Sequence, residues 1–501
     1  MTENRADRRR DYPVLHLARA ILEADTPLSI STGTPDGVFD TALVTDANDL
    51  PAIPGSSLAG VLRQLWRESY PGATSDDALF GFQQRASGDA SRVIVSWGTM
   101  LDSQGRAAEG LLAVTDPSRL EDDSLLQRAR SGIDEPRFRN RVRISHRGTA
   151  ADTGKFDRAL IPRGYRFAIE LRLWSRSIDD PDWTRLLDLL DHPAFRLGGA
   201  TRAGLGKMRC IRCHQASFRL DAAGGTKGAA ALAALDPELH AVTGLSQHTP
   251  DWKGNGIVTG MLTLAPRGFW RIGQGTEDLR HYQGQPNIRE ADLLPVIEET
   301  VHWPHNGPAQ IHSHHLLFPA SSLKGALAHR MSFHAHRIAR TWAQPYQGEP
   351  SRPAWVDALL GSVKDKTTSA PGQAGAMYLD DVHIPLANVD LREVPHIAID
   401  RFTGGVRNGV FFEELSVYKT HQPIVIPIAL DESRLKRNTA DTTSVSRALK
   451  AALDDLCQAR LPLGSRTATG NGFFDGELTG PLKSWLDSPP KTPRHPDERP
   501  E

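Results

Sequence analysis

Three cysteines in 501 residues exclude a disulfide framework and point to a reducing compartment. Long apolar runs are missing too: none approaches the ~20 residues that span a bilayer, so no membrane partner is expected. The opening MTENRADRRRDY has basic residues with no apolar stretch behind them, which does not read as a secretory signal; the cytoplasm is the expected compartment. Charge of one sign is also lacking, since the net charge is −1. That sum gives no hint of nucleic acid, and distribution has to be read instead. What remains, 39% hydrophobic and 24% charged residues, describes a soluble globular chain long enough for two cores.

The chain repeats itself. IPGSSLAGVLR from Ile53 returns as FPASSLKGALA from Phe318, with Pro54 and Pro319 265 positions apart. LGGATRAGLG from Leu197 returns as LGSRTATGNG from Leu463, 266 positions on. Between them, RISHRGTAADTGKF from Arg143 pairs with AIDRFTGGVRNGVF from Ala398, 255 positions on. Ordered recurrence of three motifs implies duplication. We divide the chain into a first module 1–220, a Gly/Ala-rich linker 221–255 with a short helix near Ala229–Leu235, a second module 256–484, and a disordered Pro-rich tail 485–501.

Within the first copy, LHLARAILEADTPLSIS reads as an opening strand and LAGVLRQLWRESY as a helix, with Leu58, Val61, Leu62 and Leu65 at helical spacing. Ser56 and Ser57, like Ser321 and Ser322 in the second copy, are placed to cap their helices or to seat a phosphate there. Gly60 and Gly325 each cost about 1 kcal/mol in a helix, which predicts close packing by sheet or by RNA. The loops at Gly198, Gly199 and Gly464 let a backbone approach a ligand, with Thr201, Arg202, Arg466 and Thr467 as polar contacts. They fit neither GxxxxGK[ST] nor GxGxxG, which removes a P-loop or Rossmann reading. Ten Arg or Lys residues lie between Arg137 and Arg172 against only Asp152, Asp157 and Glu170. In a strand, Arg137, Arg139, Arg141 and Arg143 would share one face, solvated or aimed at RNA.

IPGSSLAG, ALIPRG at 159–164 and LGGATRAGLG, repeated as FPASSLKG, IDRFTGG with FFEE, and LGSRTATGNG, together resemble the RAMP superfamily. More narrowly they are similar to backbone subunits of type III CRISPR effector complexes. The resemblance implies an α+β fold of two tandem ferredoxin-like (RRM-type) domains, each with a β-hairpin thumb that wedges into guide–target duplex. Fused copies resemble the double-module subunits of type III-D-like systems. The first copy departs from the thumb pattern, with Ser145 and His146 where Asp-Arg is expected. Implied partners are guide RNA (crRNA), complementary target RNA and other CRISPR effector subunits, in antiviral defence. Expected RNA contacts are Ser56, Ser57, Arg63, Arg141, Arg143, Gly198, Gly199, Thr201, Arg202, Ser321, Ser322, Lys324, Arg401, Arg466 and Thr467.

The resemblance also implies target cleavage by a loop aspartate before the PGSSL helix. FDTALVTDANDLPAIPGSSL puts Asp40 there, while Asp46 and Asp49 suit a turn. Asp292 is the second-copy candidate, one residue out of register. Such a carboxylate would work with a divalent cation, Mg2+ or Mn2+. Eight of 19 histidines fall between His302 and His336, a run that either lines RNA or, less in keeping with the absence of nearby cysteines, binds zinc. Cys210, Cys213 and His214 form a second zinc candidate, with ordinary strand residues the better reading. The competing functions are a guide-directed endoribonuclease subunit, a non-catalytic RNA-binding scaffold, and a guide-processing ribonuclease of the same fold working by metal-independent acid–base chemistry.

Overall fold

The computed structural model describes residues 11–33, 42–85, 87–134, 137–145, 148–232, 245–276, 279, 291–341, 352–362, 372–407 and 409–488. It is a mixed α+β chain with antiparallel pairing in every sheet. In the first module the elements are β1 (Val14–Ala24), α1 (Gly55–Ser69), β2 (Val93–Val95), β3 (Thr99–Met100), β4 (Arg141–Ile144), β5 (Ala150–Phe156), β6 (Arg166–Ser175), α2 (Pro181–Asp188) and β7 (Met208–Arg219). The linker adds α3 (Gly225–Leu232) and β8 (Ser246–His248). The second module has β9 (Ile257–Pro266), β10 (Ile297–His302), β11 (Gln310–Phe318), α4 (Ala320–Ile338), β12 (Met377–Leu379), β13 (Val382–Pro385), β14 (Val389–His396), β15 (Phe412–Thr420), β16 (Ile424–Asp431), α5 (Thr442–Cys457) and β17 (Phe474–Thr479). A further helix, Pro481–Asp487, buries Leu482, Trp485 and Leu486 in the second core, so the module runs past 484 and the expected disordered tail does not begin at 485.

The first sheet runs β8-β7-β1-β6-β2, with β3 also on β6. The second runs β17-β9-β16-β12. The duplication is therefore visible in topology: opening strand at the centre, last strand on one side, the two middle strands on the other. β1 is buried along its whole length. Ala18, Ala20 and Leu22 face the helix side, while Arg19 and Glu23 on the other face are matched by Glu170 at 3.4 Å and Arg166 at 2.8 Å. The linker is not a free tether, because β8 extends the first sheet beside β7 and His248 meets Asp188 at 3.1 Å.

The repeat extends to backbone stereochemistry. Gly198 and Gly464 have φ of +78° and +92°, and an added Cβ would lie 2.2 Å from the Ser29 carbonyl and 2.3 Å from the Arg271 carbonyl respectively. Ala200 and Arg466, also 266 apart, both sit at φ 55°. Gly206 and Gly472 donate to Pro27 O and Phe269 O, each at 2.8 Å. Only glycine fits where the chain crosses another backbone at such distances.

The modules dock through charge. Arg139, buried, donates to Glu298 at 2.7 Å and to Asp381 at 2.5 Å. Arg128 and Arg137 share Glu299 at 2.8 and 3.2 Å, and Arg196 and Lys207 share Asp380 at 2.5 and 3.0 Å. Trp303 donates its indole N–H to Gly164 O at 2.7 Å and stacks under Arg166. Val301, Ala309, Tyr378 and Ala429 of the second module complete the core of the first. The arginine run is thus not one strand face, solvated or otherwise. Arg137 and Arg139 turn to carboxylates about 160 residues downstream, a pairing that local alternation cannot reveal.

Burial pushes the Glu298 carboxyl up, but Arg139 and the hydrogen bond from His383 bring it down from 4.5 to about 2. Its contribution to stability is therefore present above pH ~4.5 and lost as pH falls toward about 2. Arg139→Ala leaves buried Asp381 with only the Ala320 N–H and Glu298 with only His383 as described partners, and is expected to cost about 3–5 kcal/mol. Arg137→Ala, at a half-exposed pair, should cost about 1 kcal/mol or less. Urea unfolding at pH 7 measures both, and equal losses would contradict the assignment.

Candidate nucleic-acid interface

Both helix starts are built on proline. Pro54 (φ −57°, ψ 134°) and Pro319 (φ −81°, ψ 125°) occupy the cap positions, and neither helix has a side-chain cap. Ser56, Ser57, Ser321 and Ser322 therefore lie inside the first turn instead of capping it. Ser57 and Ser322 donate their backbone N–H to the proline carbonyls at 3.0 and 3.1 Å. The extended φ/ψ of the proline already directs the chain into the helix, so no hydroxyl is needed. At α4 the first N–H, from Ala320, is taken by Asp381 at 2.8 Å. Close packing at Gly60 and Gly325 is also corrected, since a Cβ on either would meet nothing within 4 Å. Gly55 is the tight one, 2.6 Å from the Val95 carbonyl. The two helix glycines leave bare, open surface.

The starts differ in charge. At α1, Arg63 is used internally by Asp76, Asp77 and the Gly81 carbonyl. At α4, Lys324 meets a cluster of cations drawn from both modules. Arg202 donates to Gly375 O at 2.6 Å and Tyr378 Oη at 3.1 Å, and Arg141 to Ala203 O at 3.3 Å. Among the described residues neither has a carboxylate partner, nor has Lys324; Arg352 beside them pairs with Asp357 at 3.1 Å. Burial, then Arg352, Arg202 and Arg141, lowers the Lys324 ammonium to about 8. Burial, then Arg139, lowers Arg141 to about 10. Asp381 and Glu298 offset part of the charge on Arg141, and Asp431 and Glu68 part of that on Arg202, but cations clustered without a direct ion pair favour an anion from outside.

The remaining expected contacts divide. Gly199 lies under the Arg158 guanidinium, and Thr201 is half-buried in the same loop. Arg143 is exposed on β4. Arg466 stays within its own module, bonding His396 at 3.0 Å and lying over Phe412, with Thr467 next to it in a short 3-10 turn. Arg401 is exposed at the end of the β14–β15 hairpin, where Asp400 accepts backbone N–H bonds from Phe402 and Thr403 at 3.0 and 2.9 Å. That turn presents Phe402, 98% exposed, with Ile399, Val406 and Phe411 also exposed. The β4–β5 hairpin similarly exposes Val142, Ile144 and Phe156.

Asp40 lies outside the described residues. Asp292 is exposed and accepts the Glu413 backbone N–H at 2.8 Å, pinning β15. Asp46 accepts N–H bonds from Asn48 and Leu50 in a turn. The histidine run is spread over β10, β11 and α4: His302 and His312 rings lie 5.7 Å apart, and His334 meets Asp455 at 2.7 Å. Burial pushes the Cys210 and Cys213 thiols to about 12. Among the described residues no three His, Cys, Asp or Glu side chains are arranged to hold a metal, so neither zinc candidate has a ligand set there. Missed by sequence reasoning were Arg158, Arg352 and the acids Asp380 and Asp381, which no local motif marks.

A duplicated α+β chain with a cationic cluster drawn from both copies belongs to the class of tandem-module proteins. The chain is a member of the RAMP superfamily, whose family model matches residues 21–209 and 315–475. Membership associates it with the RNA-binding subunits of CRISPR systems. A search of curated proteins gave no match. No helix among the described residues is long and apolar enough to cross a membrane.

A lysine whose pKa falls from 10.5 to about 8 on folding destabilises the fold while charged. The cost is full below pH ~8 and relieved as pH rises toward 10.5. Lys324→Met is therefore expected to stabilise the chain by about 2–3 kcal/mol at pH 7, with the gain shrinking above pH ~8. Thermal melts across that range measure it; a destabilised variant would show that the lysine has a structural partner.

Proposed function

We propose that the chain is a double-module backbone subunit of a type III, III-D-like CRISPR ribonucleoprotein, gripping guide RNA in the junction cleft and capturing complementary target RNA. The observation that carries this reading is the cluster Lys324, Arg202 and Arg141, none ion-paired to a carboxylate among the described residues, beside the open Gly325 surface. A phosphate chain supplies the missing charge, and a glycine without neighbours lets its backbone come close. We read the shared strand order as the ferredoxin-like plan and the two hairpins as thumbs, Phe402 being shaped to insert between bases.

Target cleavage is assigned to the Asp40 loop, with a divalent cation, Mg2+ or Mn2+, offsetting charge on the scissile phosphate. One observation favours a scaffold role for the second module: Asp292 already holds the Glu413 backbone. The subunit thus makes one cut, not two.

Charge reversal at Lys324 or Arg202 should weaken binding of unrelated guide sequences alike. It should also flatten the slope of log affinity against log salt by about one unit per lost phosphate contact. Filter binding across a salt series reads this, and unchanged slopes would remove both residues from the RNA path. In the reconstituted complex, Asp40→Ala or EDTA should slow cleavage of labelled target about 10²-fold or more, with target binding kept and Asp292→Ala cutting normally. Wild-type cutting by Asp40→Ala would leave the scaffold reading.

A further inference from the structure

The first sheet carries a cavity of about 370 Å3 on the face turned away from α1 and α2. Its size is at the lower end for small-molecule sites. Its lining includes Arg19 on β1, Glu170 and Arg172 on β6, Arg212 on β7, Asp46 and Trp97. Glu170 is shared by Arg19 and Arg172. Arg212 is exposed and has no carboxylate partner among the described residues; desolvation, then Arg166, lowers its guanidinium below the usual value. Trp97 keeps 53% of its surface exposed, unusual for the largest apolar side chain next to a cavity. The lining therefore combines guanidinium, carboxylate and indole side chains.

This division matches one ligand chemistry. A guanidinium takes a phosphate, an indole face takes a planar base, and the Asp46 oxygen not used in its turn takes exocyclic N–H donors. From these features we infer that the cavity binds a single nucleotide whose base carries an exocyclic amine, adenine in the first instance. The source is either a free nucleotide or one unit of an RNA strand. The site shares no lining residue with the Lys324, Arg202 and Arg141 cluster. It also has no copy in the second module: the corresponding sheet face there, at Tyr378 and Ala429, is covered by Arg196 and Arg202 of the first.

The test is calorimetric titration of the full chain with 5′-AMP, adenosine, 5′-UMP, inorganic phosphate and penta-adenylate. AMP should bind more tightly than UMP, adenosine or phosphate alone. Arg212→Gln should weaken AMP at least about tenfold while leaving adenosine unchanged, and Trp97→Ala should weaken both. Trp97→Phe should restore most of the affinity, which guards against loss through misfolding. AMP tighter than penta-adenylate identifies a free nucleotide as the source, and the reverse order identifies an RNA unit. Lys324→Glu should leave AMP binding unchanged even where guide binding is lost, so the two readings fail separately. Absence of AMP and penta-adenylate binding at millimolar concentration, or binding indifferent to both Arg212→Gln and Trp97→Ala, overturns the inference. So would a change in sedimentation caused by those variants without any change in nucleotide binding, since the face would then be a protein contact.

Discussion

The buried guanidinium of Arg139, clamped between Glu298 and Asp381, is the contact on which the rest depends. It joins three things at once. Arg139 precedes the β4–β5 hairpin, Glu298 belongs to β10 of the other module, and Asp381 also accepts the first N–H of α4. Docking of the modules, the base of one hairpin and the start of the helix bearing Lys324 are therefore fixed by a single ion cluster. In such a setting the attraction serves geometry more than net stability, because burying each charge costs nearly what pairing returns.

That economy explains the cleft. The acids on the second module's face, Glu298, Glu299, Asp380 and Asp381, are all committed to Arg128, Arg137, Arg139, Arg196 and Lys207. Among the described residues none of them forms an ion pair with Arg141, Arg202 or Lys324, and Asp381 and Glu298 reach Arg141 only at longer range. A near-zero net charge thus conceals a local excess of cation, and the excess exists only when the two modules are docked. Neither copy of the motif carries it alone: the position of Lys324 in the first copy is Ala59.

The duplication was legible in the sequence because it rests on backbone constraints. Gly198 and Gly464 recur where chains cross at carbonyl contact, and no other residue fits. Opening strand and first helix were legible from apolar spacing. The arginine run was misread because its partners are remote in sequence, and the serine caps because proline had taken the cap position. Gly60 and Gly325 were read as packed when they face open space. The cleft itself was half legible. Lys324, Arg202 and Arg141 were named singly, but their convergence is a product of docking and has no linear signature.

The central claim is that the junction between the modules is where RNA lies. Photo-crosslinking of the full chain to a guide RNA with 4-thiouridine at successive positions, read by mass spectrometry, tests it most directly. Crosslinked peptides should come from both sides of the junction, around 321–325 of the second module and 199–204 of the first. Crosslinks confined to one module, with neither of those segments represented, would contradict it.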